Sequence, residues 1–345
     1  MKISDIDKNF SVSSDIPMED TEFYNVKEMP FCLFGLMYDT KFRRMPESVA
    51  KEINNGVYAL HANTSGGRIR FKTNSPYIAL IVKMPAAESF PHMPKTGASS
   101  FDVYCDGVFR GIFISPADMK DGYSGICHVG DGTMKEYTIN FPLYNDVEDV
   151  FVGIKKGSAF NKPNPFRTDK KILFYGSSIT QGGCATRPGL AFPNLIANKL
   201  GCDIVNLGFS GSALGELNMV EYLGCVEHNI FIMDYDHNAP TVEHLINTHA
   251  KFFKHYRSLQ PETPVIIASA PNIKFCGKDW EKRRDIVRAT YENAIASNDK
   301  NVYFIDGETL WGENWDSCSV DRTHPNDIGH FEMAVKMADV IKRLI

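Results

Sequence analysis

A serine hydroxyl becomes a nucleophile when a base takes its proton and fixed donors hold the oxyanion that its attack creates. Those parts occur in Lys171-Ile-Leu-Phe-Tyr-Gly-Ser-Ser-Ile-Thr-Gln-Gly182 and, close to the chain's end, in Asp321-Arg-Thr-His324-Pro325. The run Ile172 to Tyr175 reads as a buried strand that stops at Gly176. Ser178 therefore stands on a strand-to-helix turn, near amides that favour negative charge. Asp321 and His324 are three apart, just before Pro325 and the last helical pattern, so one short loop can present both. The carboxylate then holds the tautomer of the imidazole, and the imidazole serves Ser178 as base. Asn206-Leu-Gly-Phe-Ser-Gly211 follows a second strand pattern, where the Gly208 amide can donate to an oxyanion. Asp234-Tyr-Asp-His-Asn238 follows a third, and the Asn238 side chain supplies another donor. The Ser178 amide completes the hole, and losing one such donor costs roughly 3 kcal/mol of transition-state stabilisation. Asp236 or His237 could instead point into the pocket and touch substrate, and Trp315, six residues before Asp321, could wall it.

Plainer roles compete for the same residues. Ser178 could cap a helix, Asp321 could cap the last helix, Gly208 could be a turn glycine, and Asn238 could satisfy loop backbone. A Walker-type phosphate turn is excluded, because Gly-Lys-Ser/Thr is missing. His244, His249 and His255 fall along one helical pattern at spacings that do not share a face, so with His237 they make no metal site. The charged run Asp279 to Asp285 reads as a solvated helix face.

Two kinds of periodicity must position these groups. Short apolar runs at 57–62, 68–73, 77–84, 101–105, 108–113, 135–141 and 149–154 read as strands, with Asp106-Gly107 as a hairpin turn. Strands without intervening helices predict a β-sandwich, jelly-roll-like, over residues 1–160, with 20–54 unassigned. The Pro-rich stretch Pro85 to Gly97 reads as a long loop able to reach a neighbouring pocket. Residues 161–170, with Pro163 and Pro165, read as a linker. Over 171–345 strand patterns at 172–175, 203–207, 230–234, 265–270 and 302–305 alternate with helical ones at 190–200, 217–225, 242–259, 279–297 and 328–344. That alternation predicts an α/β class, a parallel sheet covered by helices on both faces. Each motif named above follows a strand end or lies in the last loop, where such sheets bind ligands.

Gly176-Ser-Ser178, Gly208, Asn238 and Asp321-x-x-His324 resemble the four blocks of the SGNH (GDSL-like) hydrolase family over residues 171–345. The resemblance implies a three-layer α/β/α domain with Ser178 as nucleophile, Gly208 and Asn238 as oxyanion donors and His324 as base. Ser100-Phe-Asp-Val-Tyr-Cys-Asp-Gly107 resembles the Gly-x-Asp-Leu-Tyr segment of the β-sandwich preceding some of these domains, with Phe101 and Val103 at variance. Ser177 stands where the family commonly has Asp, and Asp234-Tyr-Asp-His-Asn238 replaces the usual Gly-x-Asn-Asp. Members with this layout include bacterial carbohydrate esterases. The resemblance thus implies hydrolysis of short acyl esters, acetyl foremost, on a small-molecule or oligosaccharide substrate, with no cofactor. A lipase or thioesterase, or an acyltransferase, would use the same residues, and a silent glycan-binding protein is the non-enzyme alternative.

Composition bounds the rest. With 345 residues, 43% of them hydrophobic, the chain can fill two cores. A net charge of -5 argues against a nucleic-acid partner, and no apolar run is long enough to predict a membrane span. The start carries no apolar signal-peptide core, which predicts a cytoplasmic address unless a leader has been removed. Eight scattered cysteines suit buried thiols better than a disulfide framework. The sequence sets no oligomeric state.

Overall fold

The computed structural model describes residue 6, residues 15–276 and residues 278–345. Alternation of period two builds its first half. In β5 (Arg68–Thr73), Ile69 and Phe71 are fully buried and lie opposite Ile139 and Tyr137 of β10 (Lys135–Asn140). One antiparallel sheet runs β12 (Phe160–Asn161), β5, β10, β7 (Phe101–Cys105), β8 (Val108–Phe113), with β2 (Cys32–Phe34) also on β5. The other runs β1 (Thr21–Asn25), β11 (Asp149–Lys155), β6 (Ile78–Lys83), β9 (Gly122–Cys127). Their inner faces share one apolar core, with Ile69, Phe71 and Ile139 packed in the same cluster as Ile78, Leu80 and Val152. This is the expected β-sandwich. Asp106 and Gly107 join β7 to β8 with φ of 49° and 79°, the left-handed pair that a two-residue hairpin needs.

The expected strand at 57–62 is not one. Asn54 accepts the Val57 N–H at 2.8 Å and caps a helix, α2 (Asn55–Leu60), which follows α1 (Glu47–Ile53). Asn ahead of an apolar run is a helix start, and that local signal overrides the β-leaning composition. Strand β9 escaped the reading because Gly-Tyr-Ser-Gly-Ile-Cys holds two glycines and little alternation. A two-stranded ribbon, β3 (Met37–Tyr38) with β4 (Phe42–Arg43), and the short helix α3 (Lys95–Ser99) complete this half.

The second half is a parallel sheet in the order β14 (Asp203–Gly208), β13 (Lys171–Gly176), β15 (Ile230–Asp234), β16 (Val265–Ala268), β17 (Val302–Ile305). Both faces are covered. Leu173 and Tyr175 join a core with residues of α6 (Leu217–Cys225), α7 (Val242–Leu259) and α9 (Lys278–Ala296). Ile172 and Phe174 join the opposite core with α5 (Phe192–Leu200) and α10 (Asp327–Ile341). Two short helices, α4 (Ser178–Gln181) and α8 (Ile273–Cys276), follow β13 and β16. The strand order reverses about β13, which lies between β14 and β15, and a crevice opens beyond the carboxyl ends at such a switch point. No helix among the described residues is long and apolar enough to cross a membrane.

Polar contacts tie the halves together. Asp102 of β7, fully buried, accepts hydrogen bonds from Arg187 Nη1 at 2.9 Å, the Gly189 N–H at 2.8 Å and Asn140 Nδ2 at 2.8 Å. Arg68 Nη2 of β5 pairs with Asp203 Oδ1 of β14 at 2.6 Å.

Candidate active site

Gly176 ends β13 in register with Gly208 and Asp234 on its two neighbours. A Cβ at 176 would collide with Thr180 Oγ1 and the Asp234 carbonyl, so glycine allows the turn to fold back tightly. Ser177 Oγ accepts the Ile179 N–H at 3.2 Å and caps α4, which makes Ser178 the helix's first residue. The Ser178 carbonyl is held by the N–H groups of Gly182 at 3.1 Å and Gly183 at 2.8 Å and by Tyr144 Oη at 3.2 Å. With its main chain fixed, Ser178 places Oγ 2.9 Å from His324 Nε2. Below it, Thr180 Oγ1 donates to Asp234 Oδ2 at 3.0 Å, and burial, then the Asp236 charge, push that carboxyl well above the usual range.

His324 arrives from the loop between β17 and α10. Its Nδ1 lies 2.7 Å from Asp321 Oδ2, while Asp321 Oδ1 accepts the N–H groups of Thr323 at 2.9 Å and His324 at 2.7 Å. Arg322 between them has φ of 71°, a left-handed residue that closes the loop tightly. Burial acts to raise the Asp321 pKa, but the bonds from the His324 backbone and ring and from Thr323 outweigh it, so the group stays below the usual range. The carboxylate thus fixes ring orientation and tautomer together, leaving Nε2 to accept from Ser178.

The oxyanion side differs in detail from expectation. Gly208 is buried, and its N–H donates to Asn206 Oδ1 at 2.9 Å, so it has no proton free for a ligand. A Cβ there would strike the Gln181 backbone, which accounts for the glycine by packing alone. Three residues on, Gly211 is exposed, has φ of 65° and open space where a Cβ would stand. Among the described residues its N–H meets no acceptor, and neither does that of Ser178. Asn238 Nδ2 donates to the Phe209 carbonyl at 2.8 Å, which orients the amide and leaves it a second proton.

The three expected pocket residues fare unequally. Asp236 is 1% exposed, and its Oδ2 accepts the Ala270 N–H at 3.0 Å, so it braces loops rather than facing substrate. His237 is tied through Asn272 to the loop that carries His324. Its Nε2 donates to Asn272 Oδ1 at 3.0 Å, Asn272 Nδ2 donates to the Arg322 carbonyl at 3.0 Å, and Trp280 packs on its ring at 4.5 Å. Burial, partly countered by Asn272, brings its pKa down to about 4, so the ring is neutral. Trp315 packs on Phe275 at 4.9 Å, and Phe275 in turn lies under the Arg322 guanidinium. These aromatic rings pack beside the His324 loop.

The reach of the first half's Pro-rich loop was expected, but the residues through which the first half meets the site were not. The loop 85–97 does reach the site: the His92 ring centroid lies 5.1 Å from that of His324, and His92 Nε2 lies 3.9 Å from Asp321 Oδ2. Phe90 of the same loop packs edge-on against Tyr144 at 5.4 Å. Gln181 Nε2 donates to Asn63 Oδ1 at 3.1 Å and to the Leu143 carbonyl at 3.2 Å, and its Oε1 accepts the Ser210 N–H at 3.0 Å. Nothing in the sequence marks Asn63 or Leu143 as partners, because the contacts span more than a hundred and about forty positions respectively, on the order of a whole domain for the former. The prolines at 85, 91 and 94 were the only signal for the loop.

Ser178, His324 and Asp321 in hydrogen-bonded series at the carboxyl end of a parallel sheet fit an acyl hydrolase, and the family match shows that class. Residues 169–342 match the family described as GDSL-like Lipase/Acylhydrolase, and the chain belongs to that family of ester hydrolases. Residues 21–160 match GxDLY, the N-terminus of the SGNH-hydrolase-type esterase. The chain is similar to a Bacteroides ovatus ATCC 8483 protein provisionally assigned as a GDSL-like lipase, with 26% identity, TM-score 0.84, and 94% and 98% of the two chains covered. It shares its fold with the salicylyl-acyltransferase SsfX3 of a tetracycline biosynthetic pathway (18% identity, TM-score 0.75, 94% and 98% covered). The same holds for an acetyl xylan esterase, Est2A, from the rumen bacterium Butyrivibrio proteoclasticus (13% identity, TM-score 0.59, 94% and 98% covered). No curated protein matches the sequence.

Proposed function

We propose that the protein is a serine esterase that removes short acyl groups, acetyl foremost, from carbohydrate. The observation that carries the reading is the continuous chain from Ser178 Oγ through His324 Nε2, at 2.9 Å, and Nδ1 to Asp321 Oδ2, at 2.7 Å. Ser178 Oγ attacks the ester carbonyl as His324 Nε2 takes its proton, and Asp321 stabilises the imidazolium that forms. The Ser178 N–H, the second Asn238 amide proton and the Gly211 N–H, taking the place first given to Gly208, hold the developing oxyanion. His324 then protonates the leaving sugar oxygen, and water, activated by the same ring, releases the acid. No step calls on a cofactor.

The carbohydrate assignment is supported by the two-part layout shared with Est2A, an acetyl xylan esterase. The SsfX3 likeness favours a competing reading, in which an acceptor alcohol rather than water takes the acyl group. Acetate release from acetylated xylan and from 4-nitrophenyl acetate decides between them. The expected result is release without added acceptor, a preference for acetyl over octanoyl esters, and no turnover in a folded Ser178→Ala variant. Undiminished turnover in that variant removes Ser178 as nucleophile; acyl transfer to an added sugar in place of hydrolysis favours the second reading.

A further inference from the structure

We propose that His92, Cys184 and His324 together bind a soft divalent cation, zinc foremost, and that its binding switches off the acyl chemistry. The inference rests on the reading of His324 as the base. One ring nitrogen from each histidine and Cys184 Sγ lie within 4.8 Å of one another. Zinc bonds nitrogen at about 2.0–2.1 Å and thiolate sulfur at about 2.3 Å, which puts ligand atoms of a tetrahedral site roughly 3.5 Å apart. Closure by about an ångström is therefore needed. The groups that must move are side chains on loops: His92 on the 85–97 loop, 38% exposed, and His324 between β17 and α10. Cys184 follows the Gly182-Gly183 turn with φ of 70° and is 2% exposed, so its thiol stays inside as the fixed ligand.

The rest of the site is already arranged as a metal site would be. A ligating imidazole almost always gives its other ring N–H to a carboxylate, a backbone carbonyl or water, which fixes its orientation and raises its basicity. His324 gives its Nδ1–H to Asp321 Oδ2 at 2.7 Å. The Nε2 lone pair then has two claimants, the Ser178 hydroxyl and a cation, and they exclude each other as hydrogen bond and coordinate bond. Inhibition follows from that competition alone. Ser178 Oγ or water completes a fourth position. Two imidazoles and a thiolate select zinc, copper or cobalt over magnesium and calcium, which seek oxygen. Burial, with the Asp321 charge adding to it, pushes the Cys184 thiol up to about 12, so it is unreactive alone and yields one proton as the cation binds.

Zinc titrated against hydrolysis of an acetyl ester by the full chain, after chelator treatment, tests the switch. Cobalt titrated without substrate tests the site through its thiolate charge-transfer absorption. The expected results are inhibition by micromolar zinc, reversed by EDTA and not reproduced by magnesium, with half-inhibition moved up at least about tenfold in Cys184→Ser and in His92→Gln. The cobalt band should appear in the parent and in Ser178→Ala and vanish in Cys184→Ser. Absence of the band in the parent, equal zinc sensitivity in all variants, or equal potency of magnesium overturns the proposal. A chain that hydrolyses esters but shows no band loses only the cation site. A chain that shows the band but hydrolyses nothing keeps the site and loses the esterase reading and the switch.

Discussion

Arg44 Nη1 lies 2.5 Å from the carbonyl oxygen of Gly208 and 3.3 Å from that of Asn206, so a cation from the first half is locked beneath the loop that follows β14. Its Nη2 takes the Leu60 carbonyl at 2.7 Å, and its guanidinium lies 4.7 Å from the Phe209 ring centroid. The side chain is buried, which brings its pKa down to about 9. A planar fork can hold several carbonyls at once; a lysine ammonium with one nitrogen cannot match that geometry. Replacement by Met leaves carbonyls unpaired, each costing about 1–3 kcal/mol. Arg44→Met is expected to lower the melting temperature and to reduce kcat more than it raises KM, because Gly211 rides on that loop and Asn238 is oriented by its Phe209 carbonyl. Arg44→Lys should restore only part of both. Equal kcat and stability in Arg44→Lys and the parent would show the fork to be immaterial.

Asp321 is the next residue to test. Asn in its place keeps the size but can donate where the carboxylate only accepts, so it favours the wrong imidazole tautomer. Asp321→Asn should lower kcat for an acetyl ester by roughly 10²–10⁴-fold with KM little changed. A loss below about tenfold would mean that the loop, not the carboxylate, orients His324.

The elements that carry the candidate site were legible because each carries its signal locally. The run Ile172 to Tyr175 stops at a glycine, and Asp321 and His324 share one loop, so residue type and spacing sufficed. Helices α6 and α7 also lie where their apolar periods placed them. What was not legible depends on contacts far apart in sequence. That Gly208 spends its N–H on Asn206, two residues back, is a side-chain orientation that no spacing rule encodes. The approach of His92 to His324 needs the relative placement of two halves, set by pairs such as Arg68 with Asp203, which look like ordinary surface charges in the sequence.

The junction itself makes a third prediction. Arg187 stacks its guanidinium 3.8 Å from the Phe109 ring centroid while bonding Asp102, so removing it strands a fully buried carboxylate. Breaking such a pair from one side costs about 3–5 kcal/mol, whereas an apolar replacement of both partners is often neutral. Burial raises the Asp102 pKa against the pull of Asn140 and Arg187, which marks the desolvation that Arg187 must offset. Arg187→Met should destabilise strongly in urea, and Asp102→Leu added to it should recover much of the loss. Additive losses in the double-mutant cycle would mean that the two side chains do not act as a pair.

Acid sensitivity should come from buried histidines. His249 and His330 are at most 1% exposed, and burial brings their pKa values down to about 3 and about 4. His249 Nδ1 bonds Thr290 Oγ1 at 2.7 Å, and His330 Nε2 donates to the Gly183 carbonyl at 3.0 Å, behind the Ser178 turn. Both are neutral in the fold, while in the unfolded chain they take up protons near pH 6.5. Between those values the unfolded state binds more protons, so their contribution is complete above about pH 6.5 and is lost as pH falls toward 4, by at most about 1.4 kcal/mol per unit for each ring. Asp236, raised to about 6 by burial, works the other way: its contribution is complete below its unfolded value and is lost as pH rises through 6. Asp234, raised by burial, opposes the histidines in the same sense as Asp236, while the neutral His237 adds to them, so the two carboxyls offset part of the histidines' loss. Urea unfolding at pH 7, 6 and 5 should therefore show stability falling with acid. In His249→Asn or His330→Gln, measured alongside, the fall should be shallower. If both variants keep the parent's slope, the acid sensitivity lies elsewhere.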